Sequence, residues 1–260
     1  MMTLEQLLAC AEILRGAGLT EAAIYAFFGN WKCESKLDAF RVEGDLSEAA
    51  LPSREYVARI LSGELGRIDF AQDRKGFGLA QWTYHNFSTG QGRKLDLYDF
   101  WKRSVRSIDD PIMQTQFCVW ELEKREWRAI LPELQRSDNL YYLTDLICKR
   151  YEMPAFNNVG DRYSAALEIK KLLEEQDEIE QPCDENGEQF WPPRVICRDM
   201  EGPDVAVAQS VLWARGFINH DTVAIFGGAT DKAVRRFQEA NGLAADGIIG
   251  PLTWAALLGR

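Results

Sequence analysis

The chain has 260 residues, 46% of them hydrophobic and eight of them tryptophan, which suits one large core plus a small one and argues against a disordered polymer. Its net charge is −10 and no basic stripe interrupts it, so a function of tracking a nucleic-acid backbone is disfavoured. No apolar run is long enough to cross a bilayer, and the opening Met1-Met2-Thr3-Leu4-Glu5-Gln6 has neither a basic region nor a long apolar one, which predicts synthesis in the cytoplasm without a signal peptide.

Thr3 and Gln6 stand at capping-box spacing and open a helix that closes near Gly16 and Gly18. Thr20 caps a second helix, in which Ile24, Phe27, Phe28 and Trp31 recur at helical spacing. Residues 38–66 read as short helical pieces and loops, with Ser53 capping the piece that carries Tyr56, Val57, Ile60 and Leu61. From about Ile68 to Trp82 the chain is aromatic and punctuated by glycine, a pattern that predicts a small β-hairpin. Helices return over about 92–104, 111–127 (opened by Asp110-Pro111), 139–151 and 161–175. Segment 174–198 then carries eight acidic and two basic residues and includes Pro182 and Trp191-Pro192-Pro193, the composition of a linker. Beyond it, Gly227-x-x-Thr230 and Gly250-x-x-Thr253 each feed a capped helix, an internal echo that with the helix near Val205–Arg215 makes a three-helix unit. The expected architecture is mainly α (α+β): a helical domain with one hairpin over 1–174, a linker over 175–200 and a small helical domain over 201–260.

Chemistry concentrates at the end of the second helix. Glu34 lies three positions after Trp31 and seven after Phe27, at the edge of their apolar stripe. Apolar burial and the negative end of the helix dipole both disfavour a carboxylate, so this glutamate is placed to hold a proton and give it to a leaving oxygen. The plain alternative is a solvated glutamate in a last turn. Six cysteines without a CxxC pair and only two histidines, His85 and His220, leave no metal-ligating cluster, and no cofactor is called for. Cys183 and Cys197 flank the linker, and their pairing is open. Asn86-Phe87-Ser88 matches a glycosylation sequon and is read as chance.

Glu34-Ser35, followed at a distance by Gly-Leu-Ala-Gln, resembles the paired motifs of goose-type lysozymes and lytic transglycosylases. The wider string is Gly29-Asn30-Trp31, then Gly76-Phe77-Gly78-Leu79-Ala80-Gln81-Trp82-Thr83, Arg93-Lys94 and Tyr151-Glu152-Met153-Pro154; over residues 1 to about 173 it resembles the phage tail-tip lysozyme family. The resemblance implies a lysozyme-like fold and cleavage of the β-1,4 bond between N-acetylmuramic acid and N-acetylglucosamine. It makes Glu34 the general acid and Gly78, Gln81 and Trp82 lining of the sugar cleft, with Tyr151 as an aromatic approaching the acid. Asp73 stands where the family carries a second acidic residue, with Asp69 and Asp45 as competitors; a transglycosylase needs no second carboxylate, so that choice of chemistry stays open. Read plainly, Pro154 stops a helix and Glu152 is solvated. The loop His85–Gly92 departs from the family by its length.

The tail (Gly202-Pro203-Asp204-Val205, Phe226-Gly227, Ala233-Val234-Arg235-Arg236-Phe237-Gln238 and Asp246-Gly247 through Trp254) resembles the common three-helix peptidoglycan-binding domain over 202–258, except that Val223-Ala224 replaces the first Asp-Gly. Phe226, Thr230, Ile249 and Trp254 are candidate wall contacts, though each also suits the core or a cap. The expectation is therefore a phage or prophage endolysin or a similar muramidase. It is expected to be a monomer whose partner is bacterial peptidoglycan, with neither nucleic acid nor membrane, and to act on the wall after release. The rivals are a cysteine peptidase using Cys33 and His85, a zinc amidase, and a non-catalytic wall-binding adaptor.

Overall fold

Helix 21–35 is apolar almost all the way round, and a helix of that kind belongs inside a fold. In the structure, a computed structural model describing residues 1–83, 92–124, 127–154, 158–177, 194–219 and 224–259, it does. The helices in chain order are α1 (Leu4–Gly16), α2 (Glu21–Ser35), α3 (Leu51–Ser62), α4 (Arg67–Gln72), α5 (Arg93–Trp101), α6 (Pro111–Leu122), α7 (Leu131–Leu134), α8 (Leu140–Ile147), α9 (Val159–Asp177), α10 (Pro203–Ala214), α11 (Gly228–Ala240) and α12 (Pro251–Leu258), with a π-helical turn at Cys148–Glu152. The protein is mainly helical. The chain divides into two compact units, one of Met1–Met2 and Ile13–Leu173, the other of Thr3–Glu12 and Glu174–Arg260. No helix among the described residues is long and apolar enough to cross a membrane.

In the first unit α2 buries every residue from Ala23 to Trp31 and packs most extensively on α8. Its start is fixed as the sequence suggests: the Thr20 hydroxyl accepts from the amide of Ala23. Asp110 likewise caps α6 by accepting from the amides of Ile112 and Met113. Asn139 caps α8 by accepting from that of Tyr142. After Ile147 the helix widens into the π turn, which closes at Met153 with φ +50°. Such a turn redirects the side chains that follow it, and π turns are frequent at functional sites.

Two local expectations are corrected. Ser53 is not a cap: it lies inside α3, buried, with its hydroxyl donating to Asp45 and accepting from the amide of Val42. The segment from Ile68 is not one strand of a hairpin, because residues 67–72 are helical and Phe70 is packed among Tyr56, Phe77 and Tyr98 at ring separations of 5.5–6.1 Å. What remains of the hairpin is a tight turn over 78–81, closed by reciprocal backbone bonds between Phe77 and Trp82 at 3.0 and 3.1 Å. The loop 85–92, except for Gly92, lies outside the described residues, as do the sequon and Cys183.

The second unit gathers α10, α11 and α12 around Val205, Leu212, Phe226, Val234, Phe237, Ile249, Trp254 and Leu257. The internal echo is physical. The Gln209 amide donates to the Ile225 carbonyl and the Thr230 hydroxyl, and Gln238 does the same to the Ile248 carbonyl and Thr253. Each glutamine oxygen accepts a loop amide, that of Ala224 in the first copy and of Gly247 in the second. Both loop residues are left-handed, Ala224 at φ +55° and Gly247 at φ +75°. That conformation suits glycine and costs an L side chain roughly 1–2 kcal/mol. Ala224→Gly is therefore expected to stabilise the chain by about 0.5–1 kcal/mol, once the extra backbone freedom of glycine in the unfolded chain is subtracted; urea unfolding of the two proteins checks it.

Candidate active-site cleft

The site begins where α9 crosses α2. A Cβ on Gly29 would fall 2.6 Å from the Arg162 carbonyl oxygen and from the Cβ of Ala166, so only glycine admits α9 this closely. The approach brings Arg162 over the end of α2. One guanidinium nitrogen donates to the Asn30 oxygen at 3.0 Å and the other to Glu34 at 2.5 Å. Asn30 is itself immobilised, with its amide donating to the carbonyls of Ala26 and Thr144 at 2.8 and 3.3 Å. Glu34 thus faces a cation, whereas the sequence suggested an apolar setting. Phe27 and Trp31 are wholly committed to the core, and the Glu34 side chain retains 17% exposure.

Glu34 forms one wall of a cleft of about 500 Å³. The same wall carries Cys33, Ser35 and Lys36; the opposite sides are the loop 41–46, the turn residues Ala80, Gln81 and Thr83, and Glu152, Met153 and Pro154. Three of these lining residues, Lys36, Gln81 and Met153, are non-glycine residues with φ between +46° and +57°. Strained backbone of this kind gathers at functional sites, held by the structure around it.

Carboxyl groups in the cleft sit in contrasting environments. Asp45 accepts from the amide and the hydroxyl of both Ser47 and Ser53, at 2.6–3.1 Å. Those hydroxyls, Ser47 first, hold it well below the usual carboxylate range. Glu43 accepts from the amide of Gly76 at 2.8 Å and so tethers the loop to the turn. At the foot of the cleft, both Glu152 carboxyl oxygens are shielded from solvent and have no hydrogen-bond partner. Burial, with the negative charge of Glu34 next, pushes this carboxyl well above its ordinary value. The solvated reading of Glu152 is thereby overturned.

The family described as phage tail lysozyme matches residues 5–173, and that described as a peptidoglycan binding domain matches 201–257. The chain belongs to the phage tail lysozyme family. It is also 39% identical over 64 residues to an uncharacterized protein in the bpoA1 3' region of Kitasatospora aureofaciens, a match covering 24% of this chain. The chain spans about half the length of that relative, 54%. No solved structure matches.

Within this phage tail lysozyme domain, several residues singled out from sequence lie elsewhere than in the cleft. Asp73 is engaged by Lys94, which donates to it at 2.6 Å, and by the Tyr56 hydroxyl. Lys94 is fully buried, and desolvation pulls its ammonium down to about 8. Asp73 is thus the counter-ion of a buried lysine and does not line the cleft. Asp69 is exposed on α4. Gly78, at φ +77°, makes a close approach, but to the Gln114 side chain and not to a ligand space. Gln81 does line the cleft, and its amide donates to the carbonyls of Gly78 and Arg41. Trp82 and Tyr151 are fully buried; the indole donates to Glu121 at 2.8 Å and the phenol at 2.7 Å. Arg93 completes that cluster, donating twice to Glu121 and once to the Tyr151 carbonyl. Trp82 and Tyr151 therefore belong to a buried polar cluster, not to a sugar-binding surface.

The wall-contact candidates move in the same direction. Phe226, Thr230, Ile249 and Trp254 are all 0–2% exposed. Three belong to the small core, while Thr230 accepts from Gln209. None offers a surface to a polymer. Desolvation pushes the Cys33 thiol up, away from a nucleophilic thiolate, and its proposed partner His85 lies outside the described residues.

Arg162 and Glu121 gave no signal in sequence, because their partners lie 128 and 28–39 residues away and only folding pairs them. Glu121→Gln is expected to destabilise the fold by roughly 3–5 kcal/mol, since it leaves Arg93 as a buried, uncompensated charge; urea denaturation of wild type and variant measures it.

Proposed function

We propose that the chain is a muramidase, cleaving the β-1,4 bond between N-acetylmuramic acid and N-acetylglucosamine in peptidoglycan. The observation that carries this reading is the cleft itself: Glu34 held by Arg162 on one wall and Asp45 on another, in a phage tail lysozyme domain. Glycoside cleavage needs a proton for the leaving oxygen and a negative charge, or a water-orienting base, for the positive charge that develops on the sugar. Glu34 serves the first need. Asp45 takes the place expected of Asp73 for the second, because four donors keep it ionised and fixed in position. Gln81, its amide anchored to backbone, presents its edge to the sugar.

The second unit supplies retention. A module that holds the polymer keeps the enzyme near its substrate after each cut, converting rebinding into a local event. With no wall contacts at Phe226, Thr230, Ile249 or Trp254, retention falls to exposed residues of that unit. The biological role that fits is a phage or prophage endolysin made in the host cytoplasm and reaching the wall after release.

Mass spectrometry of fragments released from purified peptidoglycan by wild type and Glu34→Gln tests the reading. Reducing muramic-acid ends, lost in the variant with a fall of at least about 10²-fold in rate, are expected. Anhydro ends, lighter by one water, would make the enzyme a transglycosylase, for which Asp45 is dispensable. Free stem peptides that persist in the variant would remove the glycosidase reading altogether.

A further inference from the structure

Peptidoglycan differs from a plain sugar polymer in carrying short anionic peptides on the lactyl groups of its muramic acid. We propose that Lys36 binds a carboxylate of that stem peptide, so that the cleft selects glycan whose muramic acid is still substituted. The proposal rests on the glycosidase reading above and adds to it the residue that meets the substrate's charge.

Charge in the cleft is lopsided. Glu34, Glu43, Asp45 and Glu152 line it, against Lys36 and Arg41 as the cations among the described lining residues. Arg41 is engaged within the protein: its side chain is buried, bonded to Asp38 at 2.9 Å and to the carbonyls of Asp45 and Ser47 at 3.1 and 3.4 Å. Lys36 is exposed, and its ammonium pairs with no described residue. Lys32, one turn earlier, differs in being held by Glu168. An anionic peptide entering a cleft rich in carboxyl groups needs a cation to meet it, and among the described lining residues Lys36 is the one at hand.

The backbone points the same way. Lys36 follows the last residue of α2 in a left-handed conformation, at φ +57°, with its amide donating to the carbonyls of Lys32 and Trp31. Glycine is the residue that suits this position after a helix, since a side chain is strained there. A lysine that only balanced the helix dipole would serve as well within the last turn, where Lys32 already stands. Here the strained residue lines the cleft instead, two positions beyond Glu34.

The chemistry of the substrate agrees with that placement. The bond to be cut leaves the anomeric carbon of muramic acid, and the lactyl group branches from the 3-oxygen of the same ring. The peptide therefore departs from the glycan close to the bond that Glu34 protonates. Lys36 stands on the wall that carries Glu34. It takes no part in bond breaking and acts as a specificity residue.

The experiment measures KM and kcat of the full chain for soluble glycan fragments in two forms, stem-bearing and with the stem carboxylates capped as methylamides. Wild type is compared with Lys36→Gln, Lys36→Gly and Lys36→Arg. On stem-bearing fragments Lys36→Gln and Lys36→Gly are expected to raise KM about 5-fold, with kcat little changed, and Lys36→Arg to keep most of the affinity. Capping should raise the wild-type KM by the same factor and leave that of Lys36→Gln where it was, a coupling that the cycle of substitution and capping isolates. Glycine relieves the left-handed backbone, so Lys36→Gly should gain stability in urea while losing affinity. A structural or dipole role predicts the reverse, lost stability at unchanged KM. Wild-type KM in Lys36→Gln, or an equal loss on capped and uncapped fragments, would overturn the proposal. Binding of both fragments to Glu34→Gln, with and without Lys36→Gln, reads the same contrast in the absence of cleavage. If the contrast holds there while wild type releases no sugar ends, the glycosidase reading has failed and the carboxylate site stands; if sugar is cut and the contrast is absent, only the site fails.

Discussion

The close crossing of α9 on α2 at Gly29 is the constraint on which the cleft depends. Without a side chain at that position the two helices come into backbone contact, and Arg162 is delivered onto Asn30 and Glu34. Asn30, buried and bonded to α2 and α8, serves as the fixed point against which the guanidinium is set. Each link is a packing or hydrogen-bonding fact with little freedom to relax, since interiors pack as densely as organic crystals. The short stretch Gly29-Asn30-Trp31 thus has three separate physical duties: close approach, polar anchor and core.

Buried charge does the same for the other walls. Glu121 gathers Arg93, Trp82 and Tyr151 behind the turn that bears Glu152. Lys94 binds Asp73, Tyr56 and the Lys75 carbonyl, which fixes the segment that leads into the turn. Buried ion pairs contribute little net stability against a well-packed apolar alternative, but breaking one is costly, so they specify geometry more than they add strength. The adjacent motif residues Arg93 and Lys94 accordingly point into two different clusters. The left-handed Lys36, Gln81 and Met153 are the local cost of the cleft's shape.

Sequence legibility followed the range of each interaction. Caps at Thr20 and Asp110, the apolar helix 21–35 and the doubled Gly-x-x-Thr turn are written within a few residues, and local pattern suffices for them. The placement of Glu34 at the end of that helix follows from the same periodicity. What local pattern does not encode is which side of an aromatic faces water. Trp82, Tyr151, Phe226 and Trp254 have the composition of a sugar platform and the burial of a core. Asp73 looked like a second acid because the Gly-rich turn follows it, but its partner Lys94 lies 21 residues on. Asp45 is one of two competitors in the sequence, and folding brings Ser53 over it. Glu152, next to a proline that stops a helix, gave no sign that the turn would widen and bury it.

Central to the account is that Asn30 acts on catalysis only through Arg162. A double-mutant cycle of Asn30→Ala and Arg162→Lys, read as kcat/KM on purified peptidoglycan, measures this directly. The account predicts strong non-additivity: once Arg162 is replaced, removing Asn30 costs little further activity. Independent, additive losses would contradict it, and would mean that Arg162 is not what connects the core of α2 to Glu34.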